Sequence, residues 1–163
     1  MRKILALSLG IIGAGAAGAA YLVQDRGTPP STEPLAVAAT DDAEPVTIWR
    51  APGCGCCDAY AEYLKAEGFA VTVIDDKDFD KRSLKAGVPE QGIGCHLAMI
   101  DGYAVSGLVP AEIITRLLDE RPAITGITLP GMPANAPGMA PQKTGTLKVY
   151  SFGPDGVGVY SDE

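Results

Sequence analysis

Val46-Thr-Ile-Trp-Arg-Ala51-Pro-Gly-Cys54-Gly-Cys56-Cys57-Asp-Ala-Tyr60-Ala-Glu-Tyr-Leu64-Lys-Ala-Glu-Gly68 decides the fold of this chain. Its first four residues alternate and are rich in β-formers, which predicts a strand. Pro52-Gly53 ends that strand. From Cys57 onward Tyr60, Ala61 and Leu64 recur at helical spacing, and Gly68 supplies a C-terminal stop. Three of the four cysteines therefore sit in the turn between a strand and a helix.

The pattern continues beyond Gly68. Phe69 to Ile74 predicts a second strand closed by Asp75-Asp76, and residues 78–86 predict a helix with Phe79 and Leu84 on its inner face. Gly87-Val-Pro89 breaks that helix. Leu97-Ala-Met-Ile100 and Tyr103-Ala-Val-Ser106 flank Asp101-Gly102, a strong hairpin signal. Pro110 opens a further helix whose apolar stripe is Ile113, Ile114, Leu117 and Leu118, ending before Pro122. The order β-α-β-α-β-β-α predicts an open α/β sheet with flanking helices, its first two strands parallel through a right-handed crossover. A second hairpin is expected from Leu147–Phe152 and Val157–Tyr160 around Gly153-Pro-Asp-Gly156, at an edge of the sheet and with no strand partner assigned.

This order, with cysteines directly after strand one, resembles the thioredoxin/glutaredoxin fold. The resemblance places Cys54 and Cys57 as the outer pair of a Cys-x-x-Cys at the N-terminus of the first helix. Members of that fold carry a cis-proline just before the third strand, facing the cysteines. Here Cys95-His96 stands at that place, and Pro89 is too early to fill it.

The ends of the chain read differently. Met1-Arg-Lys before the apolar run Ile4–Leu22 predicts a secretory signal or an N-terminal membrane anchor over residues 1–22, with small-residue cleavage sites at Ala17-Gly-Ala19 and Gly18-Ala-Ala20. Residues 23–44 are polar and turn-rich and predict a flexible linker. Residues 45–163 form one domain. Either export route puts that domain in the periplasm or another extracytoplasmic site, anchored to the inner membrane where the segment is uncleaved. Any link to the membrane runs through that segment alone. With a net charge of −7 and no basic stripe, the chain is a poor partner for nucleic acid.

The chemistry lies in the sulfurs. Across the first turn of a helix, unsatisfied N–H groups and the helix dipole favour thiolate, the form that ligates metals and attacks disulfides. Cys54, Cys56, Cys57, Cys95 and the lone histidine, His96, form a soft donor set suited to Cu(I), with Zn(II) as the second candidate. The topology further predicts that the sulfurs of Cys57 and Cys95 come within about 3–5 Å, the separation of two thiolates on one ion. Met132 and Met139, in the loop Leu129-Pro-Gly-Met132-Pro-Ala-Asn-Ala-Pro-Gly-Met139-Ala-Pro141, are further candidate ligands, since thioether favours Cu(I). Anchoring of the loop by flexible apolar side chains is the plainer role for both.

Taken together, Pro52-Gly-Cys54-Gly-Cys56-Cys57, Cys95-His96, Gly102-Tyr103, Gly107-x-Val109-Pro110, Glu120-Arg-Pro122, Leu129-Pro-Gly-Met132-Pro and Pro137-Gly-Met139 resemble the exported family known as domain of unknown function 411. The likeness covers about residues 45–160. It implies metal binding by Cys54, Cys56, Cys57, Cys95 and His96, a place in copper handling and resistance, and exchange with another copper-handling protein. The family's usual Cys-His-Thr reads Cys95-His96-Leu97 here, without the hydroxyl expected to orient the histidine. Three functions follow. The first is an exported copper-binding protein acting in sequestration, delivery or resistance. The second is a thiol–disulfide oxidoreductase with Cys54 attacking and Cys57 resolving. The third is a domain whose zinc ion or disulfide serves folding alone. Beyond the thiols no catalytic base or acceptor arrangement is visible, which favours a binding protein over an enzyme.

Overall fold

The computed structural model describes residues 43–163, so the expected signal or anchor and the linker lie outside the described residues. Among the described residues no helix is long and apolar enough to cross a membrane. The elements run β1 (Pro45–Arg50), α1 (Gly55–Ala66), β2 (Ala70–Asp75), α2 (Phe79–Lys85), β3 (His96–Ile100), β4 (Tyr103–Ser106), α3 (Ala111–Glu120), β5 (Gly126–Thr128), β6 (Lys148–Gly153) and β7 (Gly156–Asp162), with a 3-10 turn at Glu90–Gly92. The seven strands form one sheet in the order β2-β1-β3-β4-β5-β6-β7.

The crossover through α1 makes β1 and β2 parallel, pairing Ile48 with Val73. β3 returns antiparallel to β1, with Arg50 opposite His96 and Ile48 opposite Ala98. The β3–β4 connection is a two-residue turn in which Asp101 and Gly102 both have positive φ (44° and 85°), the backbone that a tight hairpin demands. This mixed α/β sheet with three helices is consistent with a thioredoxin-like fold.

Strand alternation sorts the side chains into two layers. Val46, Ile48, Ala98, Ile100 and Val105 face α1 and α3, where they meet Tyr60, Ala61 and Leu64 of one helix and Ile113, Ile114 and Leu117 of the other. Leu97, Ala104 and Phe152 face the opposite side and pack with Val88, just beyond α2, and with Trp49 and Met99.

One sequence expectation is corrected here. Leu84 does not face inward but is half exposed, and Ser83 takes the buried position instead. The Ser83 hydroxyl donates to the Phe79 carbonyl at 2.8 Å, so its polar atom is satisfied within the helix and the residue can be buried. The first helix begins at Gly55, so Cys56 and Cys57 lie in its first turn, as the Cys-x-x-Cys placement expected. One strand was not foreseen. β5 runs parallel to β4 and antiparallel to β6, and it is the missing partner that joins the C-terminal hairpin to the sheet.

Candidate metal centre

Cys54 is the N-cap residue of α1, and its backbone carbonyl accepts from the amides of Cys57 and Asp58. No side chain caps this helix. The cap geometry sends the three cysteines of the turn toward the loop that enters β3, and Cys95 meets them from that loop. The Sγ atoms of Cys54, Cys56, Cys57 and Cys95 all lie within 4.8 Å of one another, as the sequence reading required of Cys57 and Cys95. Cys54 and Cys57 are joined in a disulfide, and Cys56 and Cys95 are free thiols. Cys56 Sγ lies 3.4 Å from Cys54 Sγ, and Cys57 Sγ lies 3.5 Å from the Cys95 carbonyl oxygen.

The methionine loop crosses the same helix end. Met132 brings its Sδ to 3.9 Å from Cys56 Sγ while keeping 55% of its surface exposed. Met139 takes a different position. It lines a cleft of about 480 Å³ between α1 and the loop, together with Tyr63 and Glu67. Gly138 sets how closely the loop approaches. A Cβ there would stand 2.7 Å from the Cys56 carbonyl oxygen and 3.0 Å from Tyr60 Cβ.

His96 is wholly buried behind Cys95. Its Nδ1 lies 3.4 Å from Cys95 Sγ, its ring packs against Tyr60 at a centroid distance of 4.8 Å, and its Nε2 is buried without a partner. Burial disfavours the imidazolium and pulls the pKa of His96 down to about 4, so the ring is neutral at neutral pH. His96 is not among the donor atoms in mutual reach, which are the four sulfurs. The nitrogen on the sulfur side is Nδ1. Leu97, expected to matter for lacking a hydroxyl, points to the opposite face of the sheet and is 1% exposed there. A threonine at that position would point away from His96 as well, because successive strand residues face opposite ways.

Burial first, and then the neighbouring Cys56, push the Cys95 thiol up to about 12. In the absence of a cation Cys95 is therefore a neutral thiol, and metal binding here must release its proton. Four thiolates set tetrahedrally around one ion at about 2.3 Å would lie about 3.8 Å apart, a separation that fits this sulfur group once the Cys54–Cys57 bond is reduced.

The sequence did not single out Arg50. Its side chain is only 13% exposed, and its guanidinium pairs with Asp58 on α1 (2.8 Å) and Asp75 at the end of β2 (3.0 Å). No local pattern announces it, because its carboxylate partners lie 8 and 25 positions along the chain.

Residues 93–139 match the sequence model of a family described as "Protein of unknown function, DUF411". Two solved structures, described as copper resistance protein copG in Form 2 and Form 1, are similar to this chain at 32% identity. Both superpose with a TM-score of 0.68 over 75% of this chain, and over 99% and 98% of their own. No curated protein matches the chain. Shared motifs, a shared fold and this level of identity along nearly the whole length of those structures lead to one conclusion: the chain belongs to the DUF411 family.

Proposed function

We propose that this chain is an exported protein that binds a soft metal ion, Cu(I), and serves copper sequestration, delivery or resistance. The observation that carries the reading is the group of four cysteine sulfurs within 4.8 Å of one another. Thiolate sulfur selects Cu(I) and zinc over hard ions, and a thioether beside it shifts the preference to Cu(I). In this reading Cys54, Cys56, Cys57 and Cys95 supply thiolates after reduction, and Met132 adds its sulfur from the rim. His96 adjoins the ion through Nδ1. Met139 faces its own cleft and is the weakest candidate of the set. The ion is cargo, exchanged with another copper-handling protein in the periplasm or a comparable extracytoplasmic space. The similarity to proteins described as copper resistance proteins supports this assignment.

Titration of fully reduced protein with Cu(I) against a chelator of known affinity, in the presence of excess Zn(II), tests the proposal. Preferential, saturable uptake of copper is expected. Zinc that still occupies the site equally once added Cu(I) exceeds it would refute the copper assignment.

A second reading has an observation of its own, since a Cys54–Cys57 disulfide at the first turn of α1 is where a thiol–disulfide oxidoreductase would carry one. An insulin-reduction assay separates the two. Turnover by the wild type that is lost in Cys54→Ser would favour the enzyme.

A further inference from the structure

We infer that Arg50 is the positioning residue of the cysteine site: it fixes the first turn of α1 to the ends of β1 and β2, so that the three cysteines of that turn are held against Cys95. The inference rests on the metal-binding reading for its functional meaning, but its geometry stands independently. Arg50 is the last residue of β1 and shares the inner face of that strand with Ile48. One nitrogen of its guanidinium donates to Asp58 in the first turn of α1. The other pairs with Asp75 and donates to the Ala51 carbonyl at 3.1 Å. That same carbonyl accepts from the Cys54 amide at 3.2 Å. A single planar group thus ties together the strand that leads into the site, the turn that carries Cys54, the helix that carries Cys56 and Cys57, and the edge strand.

Three further observations assign this fork to geometry. First, α1 has no side-chain cap at Cys54, and the Asp58–Arg50 pair ties its first turn to the end of β1. Second, two carboxylates face one guanidinium, leaving no free positive charge to offset thiolates. Third, Arg50 Nε is buried without a partner. The stem is held where the two terminal nitrogens, each with its own acceptors, put it. Across the sheet Arg50 stands opposite His96, so the same anchor lies between the helix start and the strand that presents Cys95.

The test uses Arg50→Gln, Arg50→Lys and Asp58→Asn, with folding checked by circular dichroism. The metal-free readout is the equilibrium of the Cys54–Cys57 pair with glutathione. A loosened first turn offers the reduced thiolates poorly aligned N–H groups, so Arg50→Gln should raise the equilibrium constant for disulfide formation at least fivefold. Cu(I) affinity, read by chelator competition, should fall at least tenfold. Arg50→Lys keeps the charge but not the fork and should behave like Arg50→Gln. Asp58→Asn removes one arm and should shift both readouts in the same direction by less, and it serves as the test if Arg50→Gln does not fold. Values within twofold of wild type in Arg50→Gln, or in Asp58→Asn where that variant stands in, would overturn the inference, and so would full recovery in Arg50→Lys. A wild type that takes up no Cu(I) would defeat the copper reading alone, because the glutathione equilibrium would still judge Arg50.

Discussion

Replacing Gly138 by alanine should detach the methionine loop from the cysteine turn. Gly138 has φ +89°, and a Cβ built on it would lie 2.7 Å from the Cys56 carbonyl oxygen, 3.0 Å from Tyr60 Cβ and 3.2 Å from the Tyr60 amide. Two of these neighbours are backbone atoms in the first turns of α1 and cannot move without disturbing the cysteines. Two costs therefore combine. A left-handed backbone costs an L-residue about 1–2 kcal/mol. Forcing extra volume into a packed contact costs about 1–3 kcal/mol more. Gly131 provides the internal control: it also has positive φ (+73°), but nothing lies within 4 Å of its Cβ position. Gly131→Ala should cost only the backbone part, about 1–2 kcal/mol. Urea unfolding of metal-free, oxidised protein gives the comparison, with Gly138→Ala less stable than Gly131→Ala by about 1–3 kcal/mol. If the loop escapes by peeling off the helix, the stability loss is smaller, and the Cys56–Met132 contact is lost with it. Cu(I) affinity of Gly138→Ala would then fall by about the same factor as in Met132→Leu. Equal stabilities for the two alanine variants together with wild-type copper affinity would show that the loop does not press on the helix, and would refute the reasoning.

Three other outcomes follow from the same geometry. Met132→Leu, close to isosteric, should change stability by less than about 1.5 kcal/mol while lowering Cu(I) affinity about tenfold, and Met139→Leu should leave that affinity within about twofold; chelator competition on each single variant decides, and a larger effect at Met139 would reverse the assignment. The folded pKa of His96, about 4, lies below the ordinary value near 6.5, so between those pH values the unfolded chain takes up a proton that the folded one refuses. This contribution is complete above pH 6.5 and is lost as pH falls toward 4, by up to about 3 kcal/mol, so metal-free wild type should show a steeper loss than His96→Phe when unfolded in urea at pH 7, 5 and 4. Leu84→Ala, at a half-exposed position, should cost less than about 0.5 kcal/mol, whereas Leu117→Ala in the core should cost about 2–5 kcal/mol, both read from denaturant midpoints.

What the sequence made legible was what short-range pattern governs. The strand, the cysteine turn and the helix behind it are contiguous, and Asp101-Gly102 encodes its own hairpin, so these elements appear where the residues indicate them. The approach of Cys57 and Cys95 was legible as well, through the resemblance to the thioredoxin-like order, which puts the loop before β3 against the start of the first helix. The failures are tertiary. β5 is three residues long, and its Gly126 reads as a breaker. Its lack of a side chain is what the sheet uses, because a Cβ there would collide with the Ala104 carbonyl oxygen and the Phe152 ring. In α2 only seven residues specify a face, and the outcome turned on a serine that bonds within the helix. Met132 and Met139 look equivalent as two copies of Pro-Gly-Met, yet the path of the loop sends one to Cys56 and the other to a cleft beside Tyr63. The orientation of Leu97 is a different matter. Strand alternation alone places it opposite His96, so that reading was available from the sequence.

The site is lopsided, and the asymmetry bears on how cargo would pass through it. On the inner side Cys57 is fully buried, Cys95 has its carbonyl against Cys57 Sγ, and His96 and Tyr60 close the wall without solvent. On the outer side Cys54 and Cys56 are partly exposed and Met132 is more than half exposed. On the proposed reading, a soft ion approaching from solvent would meet the Met132 thioether and Cys56 first, and the buried Cys57 last. Cys95, its thiol pushed up to about 12 mainly by burial, would have to lose its proton to receive the ion. On the proposed copper-binding reading, capture would proceed inward from the thioether rim and release would proceed outward through it. On that reading, a partner offering thiolates at the Met132 rim would take the ion one ligand at a time, without opening the core. The Arg50 fork beneath the first turn of α1 is placed to hold that turn, and the sulfurs it carries, against Cys95 during such a transfer, leaving the Met132 side chain as the part free to move.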